Sequence, residues 1–227
     1  MADLWHFLDS GAADPAWNMA FDEALLGGAA AIGRPVLRSY GWTVPAATFG
    51  YSQRHREVAA LTGLRPLLRR PTGGGLVPHA ADWTYSVVVP PGHAWHGLRA
   101  KESYARVHAW LRDAFVELGL PTRLAPCPNP AGPGQCFVGW EESDLLRGET
   151  KMAGAAQRRN RDGLLVQGSL QPVPDAVGRA AFFGAMRAVA SRAWDATWEP
   201  LPDGDWNVRA AELAATKYGC DAHNAGR

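Results

Sequence analysis

The chain is poor in lysine. Of 23 basic residues in 227, only Lys101, Lys151 and Lys217 are lysines, and the formal net charge is +1. No long-range field therefore marks out nucleic acid or an anionic membrane as a partner. Cysteine is as scarce: Cys127, Cys136 and Cys220 are odd in number and form no C-x-x-C, which argues against a disulfide framework or a zinc site. His93 and His96 sit in a Pro- and Gly-rich loop without a third ligand nearby, so no metal site is expected. Apolar runs stay short of the roughly eighteen residues that span a bilayer, and the opening MADLWHFLDS lacks the basic-then-apolar pattern of a leader. A cytoplasmic protein without a membrane partner is the expectation. GxxxxGK[ST] and GxGxxG, the familiar phosphate cradles, are absent. So are repeats, heptads and low-complexity linkers, and one domain over residues 1–227 follows.

What the chain does have is a hydrophobic fraction of 47%, enough for a substantial core. Residues 4–9 read as a strand, and Asp14-Pro15 then supplies a cap and a first-turn proline for a helix through about Ile32. Asp22 and Glu23 are most simply read there as charges near the positive end of that helix. VLRSYGW and AATFGYS, separated by Thr43-Val44-Pro45, read as a hairpin or paired strands, and 53–61 as a short helix. Tyr40, Trp42, Phe49 and Tyr51 either belong to the core or wall an apolar tunnel. Lys101 to Leu118 is the clearest helix, with Tyr104, Val107, Leu111, Phe115 and Leu118 at intervals of three and four, Gly119 after it and Pro121 barring continuation. His108 beside that stripe reads as structural. Residues 121–134 form a loop, CFVGW and the segment around Gly148 a β-type return to Lys151, and LLVQGSL a further strand. Helices over 174–194 and 205–218 finish the chain before a loose tail.

Two stretches carry the chemistry. In LLRRPTGGGLVPHAADWTYS, residues 67–86, a strand, a glycine loop and a second strand are expected. Gly73, Gly74 and Gly75 let backbone approach a ligand closely and can aim N–H groups at an anion or a polarised carbonyl, with Arg69 and Arg70 at the shoulder. The plain alternative is a glycine-rich hairpin with solvated arginines. The second stretch is KMAGAAQRRNRDGLLVQGSL, residues 151–170, preceded by Gly134-Gln135-Cys136-Phe137.

RRPTGGGLVPH, KMAGAAQRR and QGSL in this order, with DPAWNMAFDEALL near the start, resemble the biotin/lipoate protein ligase and octanoyltransferase superfamily, and within it the cysteine-dependent octanoyltransferases and the lipoate-protein ligases. The resemblance covers most of the chain. It implies an α/β (α+β) fold, a mixed and largely antiparallel sheet flanked by helices. It also implies protein lipoylation: an octanoyl group moved from acyl carrier protein to a lysine of a lipoyl domain, such as the glycine-cleavage H protein or 2-oxoacid dehydrogenase E2, through a cysteine thioester and without a cofactor. The alternative is a lipoate-protein ligase using ATP and Mg²⁺ by way of an acyl-adenylate, and a third reading is a catalytically silent acyl-binding protein.

For the transferase, Cys136 is the implied nucleophile, its own plain reading being a buried inert thiol. Lys151 would hold the acyl carbonyl. Arg69, Arg70, Thr72, Gly73, Gly74, Gly75, His79, Gly154, Ala155, Gln157, Gly168 and Ser169 are the implied substrate-binding set, with no metal ligands. Ala80 stands where the family often has Asp, so that carboxylate is absent or supplied by Asp82. The unbroken GGG is at least as typical of the ligases, whereas the lack of room for the further C-terminal domain that many ligases carry favours a transferase, or a ligase whose accessory domain is a separate chain.

Overall fold

The computed structural model describes residues 3–130, 137 and 139–226. Strand β1, Asp3–Ala13, runs into helix α1, Pro15–Ile32. The Asp14 carboxylate accepts from Ala16 N at 2.8 Å and Trp17 N at 3.3 Å, and Gly33 at φ +68° ends the helix, so both caps act as the sequence signals require. Then come β2 (Val36–Trp42), β3 (Ala46–Phe49), α2 (His55–Ala59), β4 (Leu67–Arg69), β5 (Val77–His79) and β6 (Trp83–Val89). Helix α3, Ala100–Glu117, is capped by the Glu102 carboxylate accepting from Arg99 N at 2.8 Å, with Gly119 at φ +76° beyond its end. The short strands β7 (Arg123–Leu124), β8 (Asn129–Pro130), β9 (Gly139–Trp140) and β10 (Leu145–Arg147) lead to the long hairpin of β11 (Thr150–Asn160) and β12 (Gly163–Leu170). Helix α4 (Arg179–Trp194), β13 (Ala196–Pro200), α5 (Trp206–Leu213), a π-helical turn (Ala214–Tyr218) and α6 (Asp221–Asn224) complete the order.

The main sheet has eight strands in the order β13-β1-β2-β6-β12-β11-β10-β7. Only the β13–β1 and β1–β2 pairs are parallel. Alternation along β6 divides two cores: Tyr85 and Val87 face the cluster made with α3 and α4, whereas Val88 faces α1 and α5. The mixed, largely antiparallel sheet between helices is as expected. No helix among the described residues is long and apolar enough to cross a membrane.

Several local expectations give way. β2 and β3 do not pair with each other: β2 joins the main sheet between β1 and β6, and β3 centres a second sheet, β4-β3-β5. The glycine loop consequently joins two strands that flank β3, parallel on one side and antiparallel on the other, and is not a hairpin turn. The region 121–134 contains β7 and β8. Helix α4 starts at Arg179 and not at 174. The tail holds α6, whose Asn224 side chain accepts from Arg69 N at 2.9 Å and donates to Tyr218 O at 2.8 Å.

Candidate active site

Between the two sheets lies a cavity of about 620 Å³. Lys151, Gly154, Ala155, Gly168, Ser169, Gly74, Gly75, Arg70 and His79, nine of the sequence-derived residues, line it together. Buried side chains of Met19, Tyr40, Thr48, Arg70 and Gln167 line its inner part; the half-buried Phe137 and Trp140 and the exposed Glu141 line its rim.

The glycine loop is shaped by Arg70. Its guanidinium donates to the carbonyls of Gly73 at 3.0 Å, Gly75 at 2.8 Å and Thr48 at 3.2 Å. Gly50 completes the packing, since a Cβ there would stand 1.9 Å from the Gly74 carbonyl oxygen. Both arginines are buried, which rules out the reading of a hairpin with solvated arginines. Arg69 turns the other way and donates to His223 O at 3.1 Å and to Tyr51 O and Gln53 O at 2.7 Å, so it braces the strand before the loop.

The wall opposite the loop comes from β2, β6 and β12. Asp22 is fully buried in an ion pair with Arg38 at 2.7 Å and also accepts from Ser86 at 2.7 Å, Tyr40 at 3.0 Å and Gln167 at 2.7 Å. Burial and the neighbouring Asp22 charge raise the Tyr40 hydroxyl well above the usual phenol range, so it stays a donor. Gln167 in turn accepts from Thr72 at 2.8 Å. With these groups satisfied by one another, the inner end can face an apolar ligand without leaving them unpaired. Asp22 is thus more than a charge near the positive end of α1: it is the hub of a buried hydrogen-bond network.

His79 stacks on Trp42 with centroids 4.0 Å apart. Its Nδ1 meets Asp82 at 2.8 Å and its Nε2 meets the Thr48 hydroxyl at 2.9 Å. Asp82, two residues beyond the Ala80 position, is the carboxylate that stands at His79, and it also accepts from Thr84 at 2.9 Å and Ser169 at 2.7 Å. Burial pushes the Asp82 carboxyl up, but the His79 charge and these hydrogen bonds bring it below its ordinary value. Engaged at both nitrogens, His79 forms a fixed wall. Of the four aromatic candidates, Tyr40 and Trp42 line the cavity, Phe49 is in the small-sheet core, and Tyr51 is exposed.

Lys151 enters from the β10–β11 hairpin. Its Nζ pairs with Asp144 at 2.7 Å and lies 5.0 Å from the centroid of the Phe137 ring. The chain folds the lysine back over Gly154, where a Cβ would come 2.7 Å from its Cε and 2.8 Å from its Nζ. Gly168 is also obligatory, because a Cβ there would stand 2.2 Å from the Tyr85 ring. Thr72 and Gly73 stay just behind the lining. Gln157 points elsewhere, donating to Ala100 O at 2.7 Å and accepting from Ser103 at 2.8 Å. Cys136 lies outside the described residues. Among the described residues no three His, Cys, Asp or Glu side chains gather to hold a metal.

Sequence reasoning gives no site role to Asp144, Tyr104, Met19 or Gln167, although Tyr104 falls in the apolar stripe of α3 and Met19 and Gln167 in quoted motifs. Hairpin register was the available signal for Asp144: Leu145 pairs with Ala153, which sets Asp144 beside Gly154.

Residues 14–191 match the family described as the lipoyl protein ligase A/B catalytic domain. The octanoyltransferase LipM of Halalkalibacterium halodurans is 33% identical over 182 residues, covering 74% of this chain and 66% of that protein. The octanoyltransferase LipM of Symbiobacterium thermophilum is 37% identical over 182 residues, covering 74% of this chain and 64% of that protein. The chain thus spans just under two thirds of the length of these curated relatives. Among solved structures, lipoate-protein ligase A bound with ATP superposes with a TM-score of 0.78 at 20% identity, covering 100% of this chain and 99% of that one. The bipartite lipoate protein ligase of Thermoplasma acidophilum, solved with its E2 lipoyl domain, gives 0.73 at 20% identity, covering 100% and 97%. At such identities the structural likeness speaks for the fold.

Proposed function

The chain belongs to the lipoyl protein ligase A/B catalytic-domain family, and from that premise we propose that it is an octanoyltransferase of protein lipoylation, working through a cysteine thioester without ATP. The observation that carries the reading is a cavity lined in its inner part by buried side chains, with one lysine amine held by Asp144 near Phe137 at its rim. Such a cavity suits a medium-length acyl chain whose carbonyl reaches Lys151. The LipM relatives, octanoyltransferases about a third identical to this chain, support the same reaction.

In the first half-reaction the Cys136 thiolate attacks the carbonyl carbon of an octanoyl thioester on acyl carrier protein. A new C–S bond forms, the donor C–S bond breaks, and the carrier thiolate leaves and takes a proton. In the second, the amine of a lipoyl-domain lysine attacks the octanoyl-cysteine carbonyl. The amide C–N bond forms, the cysteine C–S bond breaks, and the proton shed by the amine returns to sulfur. Dividing the transfer in this way replaces one difficult step by two easier ones. Lys151 stabilises the oxyanion of both tetrahedral intermediates and the thiolate that precedes them. The acceptors are lipoyl domains of the glycine-cleavage H protein or 2-oxoacid dehydrogenase E2 class; the T. acidophilum ligase solved with its E2 lipoyl domain supports that class.

The test is transfer from octanoyl-acyl carrier protein to an apo lipoyl domain with nucleotide removed by apyrase. Octanoylation of the acceptor lysine is expected. Acceptor modification that needs free acid and ATP would overturn the proposal.

A further inference from the structure

Behind Lys151 stands an acid that no motif singled out. Asp144 is fully buried, and its Oδ2 accepts from Lys151 Nζ at 2.7 Å and from Glu141 N at 2.7 Å. Its Oδ1 accepts from the Tyr104 hydroxyl, which itself accepts from Ala155 N at 3.4 Å. Both carboxylate oxygens are thereby fixed by β11 through Lys151, by α3 through Tyr104 and by the turn between β9 and β10 through the Glu141 amide. An uncharged lysine would leave the carboxylate as a buried charge without its ionic counterpart, the costly arrangement for an ion pair taken out of water.

Among the described residues, the titratable groups that face Asp144 from α3, the sheet and the rim are His108, Tyr85, Tyr104 and Glu141. His108, on α3, packs edge-on against Tyr104 with centroids 4.2 Å apart, and burial pulls its pKa down to about 4. Tyr85, from the sheet, and Tyr104 are both raised by burial and by Asp144, so both stay neutral. Glu141 contributes its amide to Asp144 while its side chain is at the exposed rim.

We propose that Asp144, oriented by Tyr104 and the Glu141 amide, is the positioning residue that keeps Lys151 an ammonium and pins it over Gly154, so that the lysine serves as a fixed cation and not as a proton-accepting amine. The inference rests on the acyl-transfer reading for its catalytic consequence. The proton lost by the acceptor amine then goes to the departing cysteine sulfur and not to Lys151.

Two readouts test it, on wild type, Asp144→Asn, Asp144→Glu and Tyr104→Phe. The first needs no turnover. With isotope-labelled lysine the spectrum holds signals from only Lys101, Lys151 and Lys217, and the Lys151 side-chain nitrogen is followed against pH. In Asp144→Asn it is expected to lose its proton about one pH unit or more lower than in wild type, with Lys101 unmoved as the internal reference. The second is steady-state transfer: Asp144→Asn is expected to lower kcat about 100-fold with KM nearly unchanged, and to move the alkaline limb of the pH profile to lower pH. Asp144→Glu recovers part of the loss, and Tyr104→Phe gives a smaller effect of the same kind. A Lys151 titration unchanged by Asp144→Asn overturns the inference, as does a lower kcat with an unshifted pH profile. A wild type unable to transfer octanoyl from any donor overturns the acyl-transfer reading instead, and the lysine titration still decides whether Asp144 holds the charge.

Discussion

A single missing side chain at position 154 is what gives Lys151 its place. The atoms that an alanine Cβ would meet there belong to the end of the lysine, with the Asp144 carboxylate next at 3.4 Å, and none is backbone. Gly154→Ala should therefore move the lysine and leave the strand intact: transfer falls about 100-fold, as expected for a misplaced catalytic group, while the melting temperature shifts by only a few degrees. Kinetics and thermal unfolding of the same preparation check both halves, and retained activity would mean that the lysine's position is unimportant. At this scale the sequence was partly legible. The motif resemblance puts Lys151 at the acyl carbonyl, and the three-glycine run marks a close backbone approach. Asp144 was not legible, because an acid on a hairpin is ordinary until the register sets it beside Gly154. The hub role of Asp22 was not legible for a related reason: its four partners arrive from three strands that are distant in the chain.

Helix α3 shows what an element contributes beyond its sequence pattern. Its apolar stripe and the glycine beyond its end are legible in the sequence, since each is a local signal, whereas the Glu102 cap is seen only in the structure. Nor is the placement of its buried polar residues legible. His108 lies wholly buried with neither ring nitrogen hydrogen-bonded, and burial brings its pKa from 6.5 to about 4. The unfolded chain binds a proton at this residue as pH falls below 6.5, whereas the folded chain resists it until near 4. The stability associated with neutral His108 is thus complete above 6.5 and is lost progressively as pH falls towards 4, amounting to about 2 kcal/mol by pH 5. His108→Phe should abolish that part of the acid sensitivity. Urea unfolding of both proteins at neutral pH and near pH 5 measures it, and an equal loss in the two proteins would contradict the assignment. Strand partnership was the other element-level miss. β2 and β3 look like a hairpin because a short turn separates them, but Pro66 O and the small-sheet strands capture β3 and leave β2 between β1 and β6.

Over the whole molecule, the two sheets and the helices around them serve to bury the inner part of an acyl-sized cavity and to bring a lysine to its rim. The main sheet supplies the β11–β12 floor, the small sheet and its arginine-braced glycine loop supply the facing wall, and α6 locks that wall through Arg69. The order of motifs along the chain already implies this architecture, because a family fold is carried by many spaced residues at once. The central claim concerns Cys136, next in sequence to the Phe137 that packs on Lys151. The most direct measurement is the intact mass of the protein after incubation with octanoyl-acyl carrier protein in the absence of ATP, wild type beside Cys136→Ser. The account predicts one octanoyl group on the wild type, discharged when an apo lipoyl domain is added, and no thioester adduct on the variant. Absence of an adduct on the wild type, together with ATP-dependent acceptor modification that survives the substitution, would contradict it.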